Sequence, residues 1–172
     1  QIIQSEVPRL ENFLGDLRDF TRPPMPSKQE VDLNEIIKEV DVLMQEQAQS
    51  QGVTLQERLD PHLPTLQADP NQMKQVLLNL VKNALEAVDS GGRVTLSSGT
   101  EDRQVWFAVE DNGGGMPPEV LEKIFNPFFT TKEKGTGLGL AVIHKIVADH
   151  HGEVSVNSRP DQGTTIRVNL PC

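Results

Sequence analysis

Amide, carboxylate and glycine residues occur in this sequence in an order that suits nucleotide chemistry. Asn79 and Asn83 lie four residues apart, and two glycine-rich runs follow at residues 111–116 and 135–139. Backbone without side chains can approach phosphates closely, while amide and carboxylate oxygens can select a base and a divalent cation. The ordered set therefore predicts an ATP pocket.

The two asparagines lie on a helix predicted from about residue 72 to 88. Asn79, Lys82, Asn83 and Glu86 recur at helical spacing and form one polar stripe. Most such stripes are solvated surface, but two amides one turn apart beside a lysine also suit a hydrated Mg²⁺ ion that bridges phosphates. The opposite stripe is apolar and is predicted to enter the core: Met73, Val76, Leu77, Leu80, Val81, Ala84, Leu85 and Val88.

Asp111 ends a hydrophobic strand and is followed by Asn112, three glycines and Met116. A tight turn would explain the pattern. A carboxylate at a strand end can also accept a hydrogen bond from the amino group of adenine. Gly113 and Gly115 would then let the backbone close over the base.

The second glycine run, which contains Gly135, Thr136, Gly137, Leu138 and Gly139, leads into a periodic helical segment. Unpaired N–H groups at a helix N-terminus favour phosphate. The spacing matches neither G-x-x-x-x-G-K-[ST] nor G-x-G-x-x-G, which excludes the P-loop, dinucleotide and protein-kinase phosphate loops. A different nucleotide-binding fold is required.

Between the glycine runs, Phe125, Phe128 and Phe129 lie in one short segment. They can anchor a connection to the core, and they can also hold a lid in its closed form. Lys132 and Lys134 would then reach the phosphates of a bound nucleotide.

The N-terminal segment is predicted to be a separate helix. Its apolar residues recur by threes and fours (Ile3, Val7, Leu10, Leu14 and Leu17), which is the seam of a helix that packs lengthwise on others. Pro8 predicts a kink or a helix start near it. Residues 1–22 form this segment, 23–28 a proline-rich linker, and 29–172 the remaining domain.

Within that domain, Asp32 or Asn34 can cap a helix that runs to about Ser50. Asp69 and Pro70 start the helix that bears the asparagines, and a last helix follows Gly139. Strands are predicted at 53–57, 93–98, 104–110, 153–158 and 164–170. The expected fold class is α+β, a two-layer α/β sandwich with one helical layer.

Composition narrows the setting and the partners. The net charge is −9, which argues against nucleic acid as a partner, and an acidic domain that binds polyphosphate needs a divalent cation and local lysines. Cys172 is the single cysteine, so a reducing, cytoplasmic setting is expected. No signal peptide and no apolar run of about 20 residues occurs.

The motifs in this order resemble those of the GHKL ATPases, and most closely the catalytic and ATP-binding domain of sensor histidine kinases. Residues 79–86 resemble the family's N box, 125–128 its F box, and 135–140 its second glycine box. The resemblance implies a Bergerat-type fold, with a mixed sheet covered by helices on one face and preceded by one isolated helix. It also implies that Asn83 binds Mg²⁺, that Asp111 reads adenine, and that Thr164 lies in a last, smaller glycine box.

The implied activity is transfer of the ATP γ-phosphoryl group to a histidine, and then to an aspartate on a response regulator receiver domain. ATP-hydrolysing relatives carry a glutamate at the position of Asn79, and an amide cannot act as that general base. Catalysis would rest on Asn79, Lys82, Mg²⁺ and helix-end amides that stabilise the transferred charge. Residues 1–22 resemble the second helix of the dimerisation and phosphotransfer hairpin, so a homodimeric parent, which could be membrane-anchored, is expected.

Two features depart from the family pattern. Many members place a basic residue where Glu86 stands, so Lys82 is the candidate for the missing phosphate contact. None of the histidines (His62, His144, His150 and His151) has the setting of the phosphate acceptor, and a surface or helix-end role is expected for those that follow residue 140. The chain is therefore expected to be truncated, to bind Mg-ATP or Mg-ADP, and to be unable to phosphorylate itself.

Two alternatives stay open from the sequence. A GHKL serine kinase of the anti-sigma-factor type shares the pocket but lacks a helical hairpin, and the heptad-like N-terminal segment argues against it. A non-enzymatic nucleotide-sensing module would bind ATP without any phosphoryl transfer.

Overall fold

The computed structural model of the protein describes residues 2–21 and 25–172, with side chains from residue 6 onward in the first range. The predicted linker lies partly outside the described residues, and its last residues, 25–28, belong to no helix or strand. The helices are α1 (Ile2–Thr21), α2 (Leu33–Ser50), α3 (Pro70–Ala87), α4 (Pro118–Leu121) and α5 (Gly139–Asp149). The strands are β1 (Gln29–Val31), β2 (Thr54–Arg58), β3 (Leu66–Ala68), β4 (Arg93–Glu101), β5 (Gln104–Asp111), β6 (Glu153–Ser158) and β7 (Thr164–Pro171).

The main sheet has five strands in the order β2-β4-β5-β7-β6. Strands β2 and β4 pair in parallel, and the other neighbours are antiparallel. The register places Asp111 opposite Thr164 of β7 and opposite Val94 of β4. Two residues far apart in sequence are thus brought together at one end of the sheet.

One face of the sheet packs against α2, α3 and α5. Alternate residues of β5 (Val105, Phe107 and Val109) are buried, as their spacing predicted, and Phe107 is fully buried. The predicted apolar stripe of α3 enters the same core. On α2, Met44 is buried whereas Leu43 is exposed. The mixed sheet under one helical layer confirms the predicted α+β class.

The helix starts follow from local capping. Asp32 is the cap of α2, since its carboxylate accepts a hydrogen bond from the Asn34 N–H at 2.9 Å. Asp69 caps α3, with Pro70 in the first turn. Each carboxylate thus satisfies an N–H group in the first turn that has no partner within its helix.

Three elements had no clear sequence signal. Strands β1 and β3 form a small antiparallel sheet of three-residue strands, and α4 is a single turn. Such short segments show no measurable periodicity. Strand β4 also extends beyond its predicted end, because Asp102 and Arg103 both adopt positive φ and close a tight hairpin to β5.

Helix α1 is not isolated, contrary to expectation. Its Asp16 carboxylate accepts a hydrogen bond from the Thr136 hydroxyl, and its Asp19 carboxylate accepts one from the Gln75 side chain. Lys145 donates to the Phe20 carbonyl. Of the two outcomes expected at Pro8, a kink or a helix start, the helix start does not occur, since α1 begins at Ile2 and contains Pro8. Polar contacts therefore hold α1 against the helical layer.

Most of the described apolar seam of α1 is exposed to solvent. Val7, Leu10 and Leu14 are each at least half exposed, and the side chain of Ile3 lies outside the described residues. Among the helices that the structure describes, none combines the length and the apolar character needed to cross a bilayer.

Candidate functional site

A cavity of about 770 Å³ lies between α3, the end of the sheet at Asp111, the segment after α4, and α1. It gathers most of the predicted site residues from distant parts of the chain. Those that line it are Asn79, Lys82, Asn83, Asp111, Gly115, Met116, Lys132, Lys134, Gly135, Thr136, Gly137, Gly139 and Thr164. Within the described part of the chain, Gly113, Phe128 and Leu138 are the predicted residues that do not line it.

Asp111 forms a buried polar end of the cavity. The residue is 7% exposed, and its Oδ1 accepts a hydrogen bond from the Gly113 N–H at 2.9 Å. Burial raises the pKa of the Asp111 carboxyl above its ordinary value of 3.8, while hydrogen bonds from the backbone of Gly113 and Thr164 oppose part of that rise. A carboxylate held in this way is an acceptor for an amino group of a bound base.

The first glycine run is packed tightly behind Asp111. A Cβ on Gly113 would lie 2.1 Å from the Ala87 carbonyl oxygen at the end of α3. Gly115 has φ +66°, and a Cβ there would lie 1.8 Å from the Arg159 carbonyl oxygen. Gly113 therefore positions the turn against α3 without facing the cavity, and Gly115 forms part of the wall.

Ser158, at the end of β6, is a buried residue that the sequence analysis missed. Its hydroxyl accepts a hydrogen bond from the Met116 N–H at 2.8 Å and lies 2.7 Å from the Thr164 hydroxyl. It also contacts the Gly163 carbonyl at 3.1 Å. One serine thus fixes Met116 and Thr164 relative to each other. A small hydroxyl residue before a glycine-containing turn was the available signal.

The polar stripe of α3 faces the cavity as predicted. Asn79 and Asn83 are half-buried, and Lys82 and Glu86 are exposed. The ammonium group of Lys132 donates to Asn83 Oδ1 at 3.2 Å and forms an ion pair with Glu86. Amide and carboxylate oxygens are suitable ligands for Mg²⁺. The Lys132 ammonium group already contacts the Asn83 oxygen, so this position accepts a positive charge. These residues therefore fit a divalent cation.

This donor set differs from a carboxylate or histidine cluster. Across the residues that the structure describes, no group of three or more histidine, cysteine or acidic side chains is arranged to hold a metal ion. A metal bound here would depend on one or two protein oxygens together with phosphate and water, which is the usual coordination of Mg²⁺ with nucleotides.

The second glycine run and the phenylalanine segment are joined through the backbone. The Phe128 N–H donates to the Gly137 carbonyl at 2.9 Å, and both residues have positive φ. Phe128 itself is 58% exposed, whereas Phe129 lines the cavity. Leu138 is fully buried and precedes α5, so it anchors the helix instead of facing a ligand.

Four residues of α1 form an unpredicted part of the wall. Glu6, Arg9, Asn12 and Asp16 recur by threes and fours and line the cavity opposite α3. A polar stripe at helical spacing was present in the sequence. It was missed because α1 was expected to be isolated from the ATP-binding domain.

The histidines that follow the second glycine run have different environments. His150 caps the end of α5, as a helix-end role requires, but it is buried at 3% exposure. His144 is exposed, with its ring centroid 5.6 Å from that of Phe125. His151 is exposed and has φ +58°.

Comparison with known proteins identifies the domain. Residues 68–172 match the family described as histidine kinase-, DNA gyrase B-, and HSP90-like ATPases. The chain is 37% identical over 171 residues to the sensor histidine kinase ZraS of Escherichia coli (strain K12), covering 99% of this chain and 37% of ZraS. It spans less than half the length of the curated relatives that it matches.

Two solved structures are similar over nearly the whole chain. Full-length ShkA in complex with AMPPNP has a TM-score of 0.87 and 30% identity, covering 94% of this chain and 35% of ShkA. Histidine kinase ThkA in complex with the response regulator TrrA has a TM-score of 0.84 and 33% identity, covering 99% of this chain and 49% of ThkA. The chain belongs to the histidine kinase-, DNA gyrase B- and HSP90-like ATPase family, and within it to the catalytic, ATP-binding domains of sensor histidine kinases.

Proposed function

We propose that this chain is the kinase core of a two-component sensor, which transfers the γ-phosphoryl group of ATP to a histidine for relay to a response regulator aspartate. The observation that carries the proposal is the single cavity that holds Asp111 at the sheet end together with Asn79 and Asn83 on α3. AMPPNP in ShkA and TrrA bound to ThkA support a nucleotide and a receiver domain as the partners.

Each group of residues has a proposed task. Asp111 accepts a hydrogen bond from the adenine amino group, and Met116, Gly115 and Thr164 enclose the base. Asn83 would hold Mg²⁺, and a bound Mg²⁺ would offset the negative charge of the phosphates. Lys82, Lys134 and the backbone of residues 135–139 hold the phosphates near the N-terminus of α5.

The absence of a carboxylate at position 79 favours transfer to protein over hydrolysis. An amide orients a neighbouring group but cannot remove a proton from water. In the proposed reaction the bond between the γ-phosphorus and the bridging oxygen breaks, a bond from phosphorus to an imidazole nitrogen forms, and ADP leaves. The imidazole proton is released to solvent.

The domain limits follow from this proposal. Residues 1–22 are the second helix of a dimerisation and phosphotransfer hairpin, 23–28 the linker, and 29–172 the catalytic domain. The acceptor histidine belongs to another helix, on the same or a partner subunit of a homodimer. We place this core in the cytoplasm, where ATP is available.

Binding and transfer are tested separately. Calorimetry should show that Asp111→Ala or Asn83→Ala weakens Mg-ADP binding by roughly tenfold or more, since each removes a charged or metal contact. Unchanged affinity in both variants would refute the site.

Transfer is measured with labelled ATP and a separate hairpin that bears the acceptor histidine. The expected product is an acid-labile phosphohistidine on the hairpin. Acid-stable phosphoserine would favour the serine kinase alternative, and normal nucleotide affinity without transfer to any hairpin would favour a nucleotide sensor.

A further inference from the structure

We propose that Glu86 is a second protein oxygen ligand for the divalent cation, and that it shares one cation position with Asn83. The Lys132 ammonium group occupies this position in the structure. The inference rests on the proposed Mg-nucleotide site and adds Glu86 to it. Many members of the family have a basic residue at the position of Glu86.

The contacts of Lys132 define the position. Its ammonium nitrogen lies 3.2 Å from Asn83 Oδ1 and also forms an ion pair with the Glu86 carboxylate. Asn83 and Glu86 are three residues apart on α3, so their side chains project from the same face of the helix. Two oxygens that contact one cationic nitrogen point to a common site that suits a cation.

The chemistry of the two oxygens favours a hard divalent ion over an ammonium group. Mg²⁺ prefers carboxylate and amide carbonyl oxygens, and its double charge interacts more strongly with Glu86 than a single charge does. Lys132 and Glu86 are 44% and 51% exposed, so solvent screens their ion pair. Displacement of Lys132 by the metal is therefore not strongly opposed.

Only the side chain of Lys132 needs to move. Its backbone is held in a turn, because the Lys132 N–H donates to the Thr130 hydroxyl at 3.0 Å and its carbonyl accepts from the Gly135 N–H at 3.2 Å. The ammonium group can therefore leave Asn83 and Glu86 while the turn stays in place. Metal and lysine thus compete for one position.

The test measures the factor by which Mg²⁺ tightens ADP binding, from calorimetry in EDTA and at saturating Mg²⁺. Any contribution that Lys132 makes to ADP affinity equally with and without Mg²⁺ cancels in this ratio. Glu86→Gln should reduce the ratio by about tenfold, the scale on which groups around a metal affect its affinity. Lys132→Gln should increase the ratio, because the competitor is removed.

Glu39→Gln is the matched control, since Glu39 pairs with Lys74 of α3 at 3.2 Å and lies outside the cavity. It should leave the ratio unchanged. An unchanged ratio in Glu86→Gln would overturn the role of Glu86, and a reduced ratio in Lys132→Gln would overturn the competition. If Asn83→Ala abolishes the effect of Mg²⁺ on ADP binding, the proposed function stands whatever Glu86→Gln and Lys132→Gln show. An unchanged ratio in Asn83→Ala would refute the metal site itself.

Discussion

Asp111 illustrates how one buried side chain affects both binding and stability. The residue is almost inaccessible, and burial raises the pKa of its carboxyl above 3.8. The folded protein therefore binds the proton of the Asp111 carboxyl more tightly than the unfolded chain does. The contribution of Asp111 to stability is fully present below pH 3.8 and is lost as the pH rises through its raised pKa. Ionisation of the buried Asp111 carboxyl therefore lowers the stability of the folded protein. Such a destabilising charge is expected at a site that binds a ligand.

The substitution Asp111→Asn separates these two effects. It removes the buried charge but keeps an oxygen that can accept the Gly113 N–H, so the thermal midpoint at pH 7 should rise and the difference should vanish below pH 3.8. ADP affinity should fall by roughly tenfold, because a charge-assisted hydrogen bond becomes a neutral one. Calorimetry and thermal unfolding at several pH values measure both.

Wild-type ADP affinity should itself decrease as the pH falls through the raised pKa of Asp111. Asp89→Asn, at an exposed aspartate outside the cavity, serves as the control. If Asp111→Asn lost stability at pH 7, the cost assigned to the buried charge would be wrong.

At the scale of elements, the turn after β5 connects the sheet to α3 and to the segment beside β6. Its three consecutive glycines look equivalent in sequence but have different surroundings. Gly113 contacts the end of α3, and Gly115 contacts Arg159 with positive φ, whereas a Cβ on Gly114 would meet no described atom within 4 Å. The turn is therefore closely packed at its two ends and has space for a side chain in its middle, where the Gly114 carbonyl accepts a hydrogen bond from the Asp161 N–H at 2.7 Å.

Alanine substitutions should reproduce this pattern. Gly113→Ala and Gly115→Ala should each lower the free energy of unfolding by about 2 kcal/mol, the scale of local backbone strain and displacement. Gly114→Ala should change it by less than about 1 kcal/mol, in the stabilising direction if it restricts the unfolded chain. Urea denaturation of the three variants measures the difference, and equal losses would contradict the packing described here.

For the whole molecule, His150 connects segments that are distant in sequence. Its Nε2 accepts a hydrogen bond from the Asp69 N–H at 3.0 Å, and its Nδ1 contacts the Ile146 carbonyl at 2.8 Å. The Asp69 carboxylate accepts in turn from the Ser27 N–H at 2.9 Å. The end of α5, the start of α3 and the end of the linker therefore meet here, with His150 and Asp69 buried and Ser27 exposed.

Replacement of His150 by alanine should lower the free energy of unfolding by about 2 kcal/mol or more, because it leaves a buried N–H and a buried carbonyl without these partners. His62→Ala, at a histidine that is 92% exposed, should change it by less than about 0.5 kcal/mol. Urea denaturation at pH 7 compares the two variants. Similar values for both would mean that His150 does not join these elements as described.

The sequence by itself determined the fold class and most of the candidate site. The periodicity of α3 separated its apolar stripe from Asn79 and Asn83, and glycine spacing excluded other phosphate loops. These signals are local, since they depend on the repeat of a single helix or on the conformations that glycine permits. The same locality explains the correct choice of core residues on β5.

Tertiary structure decided everything that depends on partners far along the chain. It brought α1 to the cavity through Asp16, buried His150, exposed Phe128 and placed Lys132 against Glu86. No periodicity encodes these contacts, because each joins residues that only the packing of whole elements brings together. The sequence thus specified which groups could bind a nucleotide, and the assembly of sheet, helical layer and α1 determined which of them share one cavity.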